Sequence, residues 1–143
     1  MRHSVFVFIV VLCACGPDTP HEQRLRELID QMEHQAESGN IGDFMDQVAD
    51  DFSGEEGAIS KVELKKLLRV QILKNTRVNA LISGYEYELF ENRAKVSMNA
   101  LLTGGTRGWL PERGELFKIN SAWRLSDDNW ELISASWEPI IGQ

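Results

Sequence analysis

Five acids crowd one short stretch of the chain. DDFSGEEGAISKVEL, residues 50–64, carries Asp50, Asp51, Glu55, Glu56 and Glu63. Carboxylates at that density could build a calcium loop, which wants acids or amides at its first, third and fifth positions, glycine sixth and a bidentate glutamate twelfth. With Gly57 sixth, Ile59 falls eighth and Glu63 twelfth, but Phe52 and Gly54 then stand first and third and offer no side-chain oxygen. Starting at Asp51 puts Glu56 where glycine is needed and Val62 where the bidentate acid is needed. Both registers fail. Ser60 followed by Glu63 reads instead as a capping box that opens a helix. The stretch reads as a link between two helices, and no metal site is expected.

Proton-transfer chemistry needs carboxylates or phenols whose pKa burial can tune. Tyr85, Tyr87, Glu86, Glu88, Glu115 and Glu131 lie in segments that read as strands, most of them as solvated or edge residues. Glu115 begins a core-facing row near a rim and is the one acid to inspect as a base. His21 and His34 lie thirteen apart on a helix, off its apolar stripe, and have no cysteine partner of the kind a zinc site takes. No serine sits in a nucleophile elbow. No catalytic residue and no cofactor are assigned.

The elements that must position these groups follow from periodicity. Thr19 as N-cap, Pro20 in the first turn and Glu22 three residues after the cap start a helix whose apolar positions are Leu25, Leu28, Ile29, Met32 and Ala36. Ser38-Gly39-Asn40 stops it. Asn40 then caps a second helix with Phe44, Met45, Val48 and Phe52 on its apolar side, and a third follows Ser60 with Leu64, Leu67, Leu68 and Ile72. After Asn75 the period becomes two. Strands are expected over Arg77–Leu89, Arg93–Thr103, Glu115–Leu125 and Trp130–Trp137. Ala94, Val96, Met98, Ala100 and Leu102 share one face, as do Phe117, Ile119, Trp123 and Leu125, and Ile133, Ala135 and Trp137. By parity Trp130 belongs to the opposite face, nearer the rim. Short turns join these strands except for the glycine-rich GGTRGWLPERG, which implies an antiparallel four-stranded sheet. Helices first and strands afterwards make an α+β layout.

The first fifteen residues differ from the rest. MRHSVFVFIVVLCAC has a basic start at Arg2 and an apolar run from Ser4 to Leu12, too short for a bilayer span of about 20 residues but suited to a signal peptide. Leu12-Cys13-Ala14-Cys15 resembles a bacterial lipobox. The resemblance implies cleavage between Ala14 and Cys15 and lipid on the Cys15 sulfur, so that 1–14 is a signal peptide, 15–20 a lipidated tether and 21–143 the domain. Cys13 and Cys15 are the two cysteines of the chain, which leaves no thiol for a disulfide. Several acyl chains, palmitate among them, make a stable anchor at about 0.8 kcal/mol per buried methylene. Gly16 stands where many inner-membrane lipoproteins carry aspartate, so the expected place is the cell envelope, at the outer membrane facing the periplasm in a Gram-negative cell.

The 143 residues suit one domain, and a hydrophobic content of 43% with 26% charged residues is that of a globular protein. The net charge of −7 becomes −8 when Arg2 leaves with the signal. That charge excludes nucleic acid as a partner, because phosphate binding needs a basic face. No lysine or arginine run suggests attraction to anionic lipid either.

Three helices, ADDF at residues 49–52, and the closing AWRLSDDNWELISASWEP resemble the nuclear transport factor 2-like domains over roughly residues 21–140. The best marker is the last hairpin, Trp123-Arg124-Leu125, an acidic turn and Trp130-Glu131-Leu132. The resemblance implies a strongly curved sheet wrapped into a cone around the long helix. It also implies members that are ketosteroid isomerases, dehydratases and cyclases (the SnoaL-like branch) beside many non-catalytic binding modules, so fold alone selects no activity. Phe52, Met98, Phe117, Ile119, Trp123 and Trp137 are the residues that would line a cone open to a small apolar ligand, or else fill it. The expected function is a membrane-anchored lipoprotein presenting a non-catalytic small-ligand-binding or structural module. The alternatives are an isomerase-like or dehydratase-like enzyme acting on a small apolar substrate, and a protein-interaction module. Lys95, Ser97, Asn99, Lys118, Asn120 and Arg124 make the outer sheet face polar, a surface that could also serve a homodimer.

Overall fold

The computed structural model describes residues 19–74, 78–104 and 114–140. Ala14, Cys15, Arg77 and most of the GGTRGWLPERG segment lie outside them. The elements run α1 (Pro20–Glu37), α2 (Ile41–Asp46), β1 (Val48–Gly54), a 3-10 turn at Glu55–Gly57, β2 (Ile59–Ser60), α3 (Lys61–Lys74), β3 (Val78–Leu89), β4 (Arg93–Gly104), β5 (Glu115–Ser126) and β6 (Asn129–Pro139). The Thr19 hydroxyl accepts the Glu22 amide at 3.3 Å, and Pro20 fills the first turn where no N–H is needed. Leu25, Ile29 and Met32 form the buried stripe of α1. Gly39, at φ +77°, then turns the chain.

The expected second helix is cut short. It ends at Asp46, and Val48 and Phe52 lie on β1 rather than on a helical stripe. The cause is tertiary. The Gln47 carbonyl accepts the Leu132 amide at 2.9 Å, and β1 runs parallel to β6 with Val48 opposite Leu132 and Gly54 opposite Ala135. Both patterns bury Val48 and Phe52, so apolar spacing could not choose between them. Asn40 makes no side-chain cap; its amide donates to Asp43 instead.

Among the described residues the sheet therefore has six strands, ordered β2-β1-β6-β5-β4-β3, rather than four. β3 to β6 are the expected antiparallel meander, and the Asp127-Asp128 turn between β5 and β6 has both residues at positive φ, as a two-residue primed turn requires. The three helices pack on the curved sheet, α1 against β3 and α3 against β1 and β2. Leu25, Ile29, Met32, Phe52, Leu64, Val96, Met98, Trp123 and Trp130 meet in one core cluster. On α3 Leu64 is buried and Leu68 half-buried, whereas Leu67 is exposed. The side chain of Ile72 lies outside the described ones.

Two bulges re-aim side chains. In β3, Gly84 and Tyr85 together face the single Met98 position, between the pairs Ser83–Asn99 and Glu86–Ser97. Gly84 sits at φ +66°, where an added Cβ would stand 2.9 Å from the Asn99 side chain. The extra residue turns Tyr85 and Tyr87 inward, on the side of Ile82. In β6, Ala122 pairs Ser134 and Trp123 pairs Leu132, so Ile133 is the extra residue. Parity reverses there. Trp130 and Leu132 come to the core face together with Ala135 and Trp137, and Trp130 is only 4% exposed. The rim position expected for Trp130, and the shared face expected for Ile133, are both corrected by this one-residue slip.

Candidate functional site

The acids of residues 50–64 diverge. The Ser60 amide donates to Glu63 at 2.7 Å and the Glu63 amide to the Ser60 hydroxyl at 3.3 Å, the expected capping box, and these bonds hold the Glu63 carboxyl below its ordinary pKa. Glu55 accepts the Trp137 amide at 2.8 Å, Asp50 meets Lys61 at 3.0 Å, and Asp51 takes both arms of Arg124 at 2.8 and 2.9 Å. Arg124 also reaches Glu131 at 3.2 Å, and its hydrogen bonds keep Asp51 ionised below the usual carboxylate range. Among the described residues no three His, Cys, Asp or Glu side chains gather as metal ligands would.

The six expected pocket residues do share the concave face, in two tiers. Phe52, Met98 and Trp123 form a closed floor, with Trp123 only 2% exposed. Phe117, Ile119 and Trp137 stay half-buried further along the strands, where Ile119 is flanked by Met98 and Trp137, and Phe117 by Ala100 and Pro139. Ser121 was not singled out from the sequence, although its parity sets it on the core-facing row of Phe117, Ile119 and Trp123, because a serine adds no apolar signal to that row. It is the one buried polar side chain of the described residues, at 6% exposure. Its hydroxyl donates to the Val96 carbonyl at 2.8 Å and accepts the Trp123 indole N–H at 2.9 Å. Ser121 thus satisfies the floor tryptophan and has no proton left to give a ligand. Glu115 lies half-buried beside Leu102, at the same end as Phe117.

On the flank, α1 closes over β3. The Tyr85 hydroxyl donates to Asp30 at 2.9 Å, Tyr85 and Tyr87 stack with centroids 6.0 Å apart, and the Arg26 guanidinium lies 5.1 Å above the Tyr85 ring. Lower on the same edge Glu37 accepts the Ala80 amide at 2.7 Å. Burial, and then the Asp30 carboxylate, push the Tyr85 phenol above its ordinary value of about 10. A phenol with a raised native pKa stabilises the fold fully below the unfolded value, and the contribution is lost as pH rises past it. Stability should therefore fall as pH rises above about 10, and Tyr85→Phe should flatten that fall in urea melts taken across alkaline pH. An unchanged slope in Tyr85→Phe would show that the phenol is not held this way.

At the other end of α1 lies a cleft of about 540 Å³, bordered by Arg24, Gln31, Asp46, Asn129, Trp130 and Glu131 among others. Arg24 donates to the Asp128 carbonyl, and the His21 ring meets Trp130 edge-on with centroids 5.6 Å apart. His21 and His34 are exposed, as the spacing on α1 predicts. The outer sheet face is polar at its centre, where Ser97 donates to Asn120 at 2.8 Å. It also exposes Leu81, Leu101 and Leu116 at facing positions on three strands, a row that the strand alternation left unread.

No protein-family model and no curated protein matches the chain in sequence. Solved structures match it in shape. Bd1075 of Bdellovibrio bacteriovorus superposes with a TM-score of 0.73 at 12% identity over 87% of this chain, which spans 44% of that protein. A nuclear transport factor 2-like protein from Cytophaga hutchinsonii gives 0.71 at 17% identity, covering 85% of this chain and all of that one. A protein from Streptomyces avermitilis named as a candidate dehydratase of the nuclear transport factor 2-like family gives 0.72 at 12%, covering 85% and 97%. The fold is nuclear transport factor 2-like, as its closing hairpin suggested.

Proposed function

We propose that this nuclear transport factor 2-like domain is held at a bacterial membrane by lipid on Cys15 and binds a small molecule with an apolar part at the open end of its sheet. One observation carries the binding reading. The concave face is closed by Phe52, Met98 and Trp123 but leaves Phe117, Ile119 and Trp137 half-buried at one end. Apolar side chains held half in water on a concave surface gain by covering, at about 25 cal/mol per Å². A catalytic reading, in line with the dehydratase name of one neighbour, has the Asp30–Tyr85 pair as its strongest feature. That pair is satisfied within itself and covered by Arg26, which favours a clamp for α1 over an acid–base couple.

Titration with anilinonaphthalene sulfonate tests the binding site. Saturable binding is expected, weakened about tenfold or more in Ile119→Ser and in Trp137→Ala, since burying a side chain of that size contributes about 1.5–3 kcal/mol. The outer-face variant Leu101→Ser should bind as the parent does. Equal loss in all three would mean the dye reads unfolding or a nonspecific surface.

The anchor rests on the lipobox resemblance at Leu12 to Cys15. Cys15→Ser should remove fatty-acid label and leave uncleaved precursor, because the acceptor sulfur is gone. Label retained in that variant would overturn the anchor.

A further inference from the structure

We infer that the anchored domain stands with the α1 start and the β5–β6 turn against the bilayer and its apolar mouth turned away, so that the mouth takes its ligand from water. This rests on the Cys15 anchor just proposed, and geometry supplies the rest. Cys15 is four residues before Thr19, so the chain between them reaches at most about 14 Å. Thr19 caps α1, and the first turns of α1 sit on the β5–β6 turn, through His21 against Trp130 and Arg24 on the Asp128 carbonyl. The far end of α1 is the mouth end: Glu37 accepts the Ala80 amide, Ala80 faces Leu102, and Leu102 faces Glu115, two residues before Phe117.

Two independent lengths separate these poles. The 18 residues of α1 rise about 27 Å. Along β5, nine steps from Phe117 to Ser126 cover about 30 Å. Either is about twice the reach of the tether. Pressing the mouth onto the lipid would lift Thr19 farther from the surface than its anchor allows. A molecule resident in the acyl layer therefore has no direct path to Phe117, Ile119 and Trp137. The ligand class this arrangement admits is a water-borne small molecule with an apolar portion.

The test uses the lipidated full-length protein in phospholipid vesicles. Cys13 is expected to leave with the signal and the Cys15 sulfur to be acylated, so one added cysteine is the sole free thiol. Ser126→Cys places it at the turn and Glu138→Cys beside the mouth, both at exposed positions. Each is labelled with bimane, and the vesicles carry nitroxide on their headgroups. Dye at 126 should lose most of its fluorescence to the nitroxide, while dye at 138 should keep most of it. Equal quenching, or stronger quenching at 138, with both proteins floating with the vesicles, overturns the orientation and leaves the anchor standing. If neither protein floats, the anchor fails and the orientation falls with it.

Discussion

Trp123→Ala should lower the unfolding free energy by about 3–5 kcal/mol, a large share of the 5–15 kcal/mol typical of a domain. Trp123 is among the largest fully buried side chains of the described residues, and it lies on the concave face opposite Ala94 on one side and Leu132 on the other. Truncation removes its buried surface and leaves a cavity that close-packed neighbours cannot collapse into. It also strips the Ser121 hydroxyl of the indole N–H it accepts, although Ser121 keeps its bond to Val96. Trp123→Phe restores most of the volume and should recover more than half of the loss. Urea melts of residues 16–143 give the comparison, and a cost near 1 kcal/mol for the alanine variant would contradict the closed floor.

Trp130→Ala should cost nearly as much, again about 3–5 kcal/mol. Strict alternation from Trp137 would place this ring at the rim and predict a loss of only about 1–2 kcal/mol. The bulge at Ile133 decides otherwise, because it brings Trp130 and Leu132 to the core side. Trp130 also supports the His21 ring of α1 and borders the polar cleft. A loss below about 2 kcal/mol, with Trp123→Ala near 4, would show that the slip in β6 is absent in solution and would withdraw the burial assigned to this strand. The two sites share one core cluster, so the double variant should depart from additivity.

Local chemistry, legible in the sequence, determined several features without help from the tertiary structure. Thr19 with Pro20 and Glu22 starts α1, and Ser60 with Glu63 caps α3, because those bonds join groups three residues apart. The capping pattern placed the start of α3, but residues 50–64, read as a link between two helices, carry most of β1 and all of β2. Alternation placed Ala94, Val96, Met98 and Ala100 in the core, since β4 carries no bulge and period two holds along its whole length. The closing hairpin was enough to suggest the fold. Tertiary structure decided the rest. Val48–Gly54 became a strand because the edge of β6 was free to pair with it, a partner roughly eighty residues away that no local pattern contains. Extra residues at Gly84–Tyr85 and Ile133 reversed the facing of Tyr85 and Trp130, because a bulge costs one residue and shows only when both strands are laid side by side. Ser121 gained its role from Trp123 and Val96, and the distance from Thr19 to Phe117 came from α1 lying along the sheet. Sequence periodicity reports which side chains avoid water; only the packed sheet determines which of them meet, and which stay half-buried.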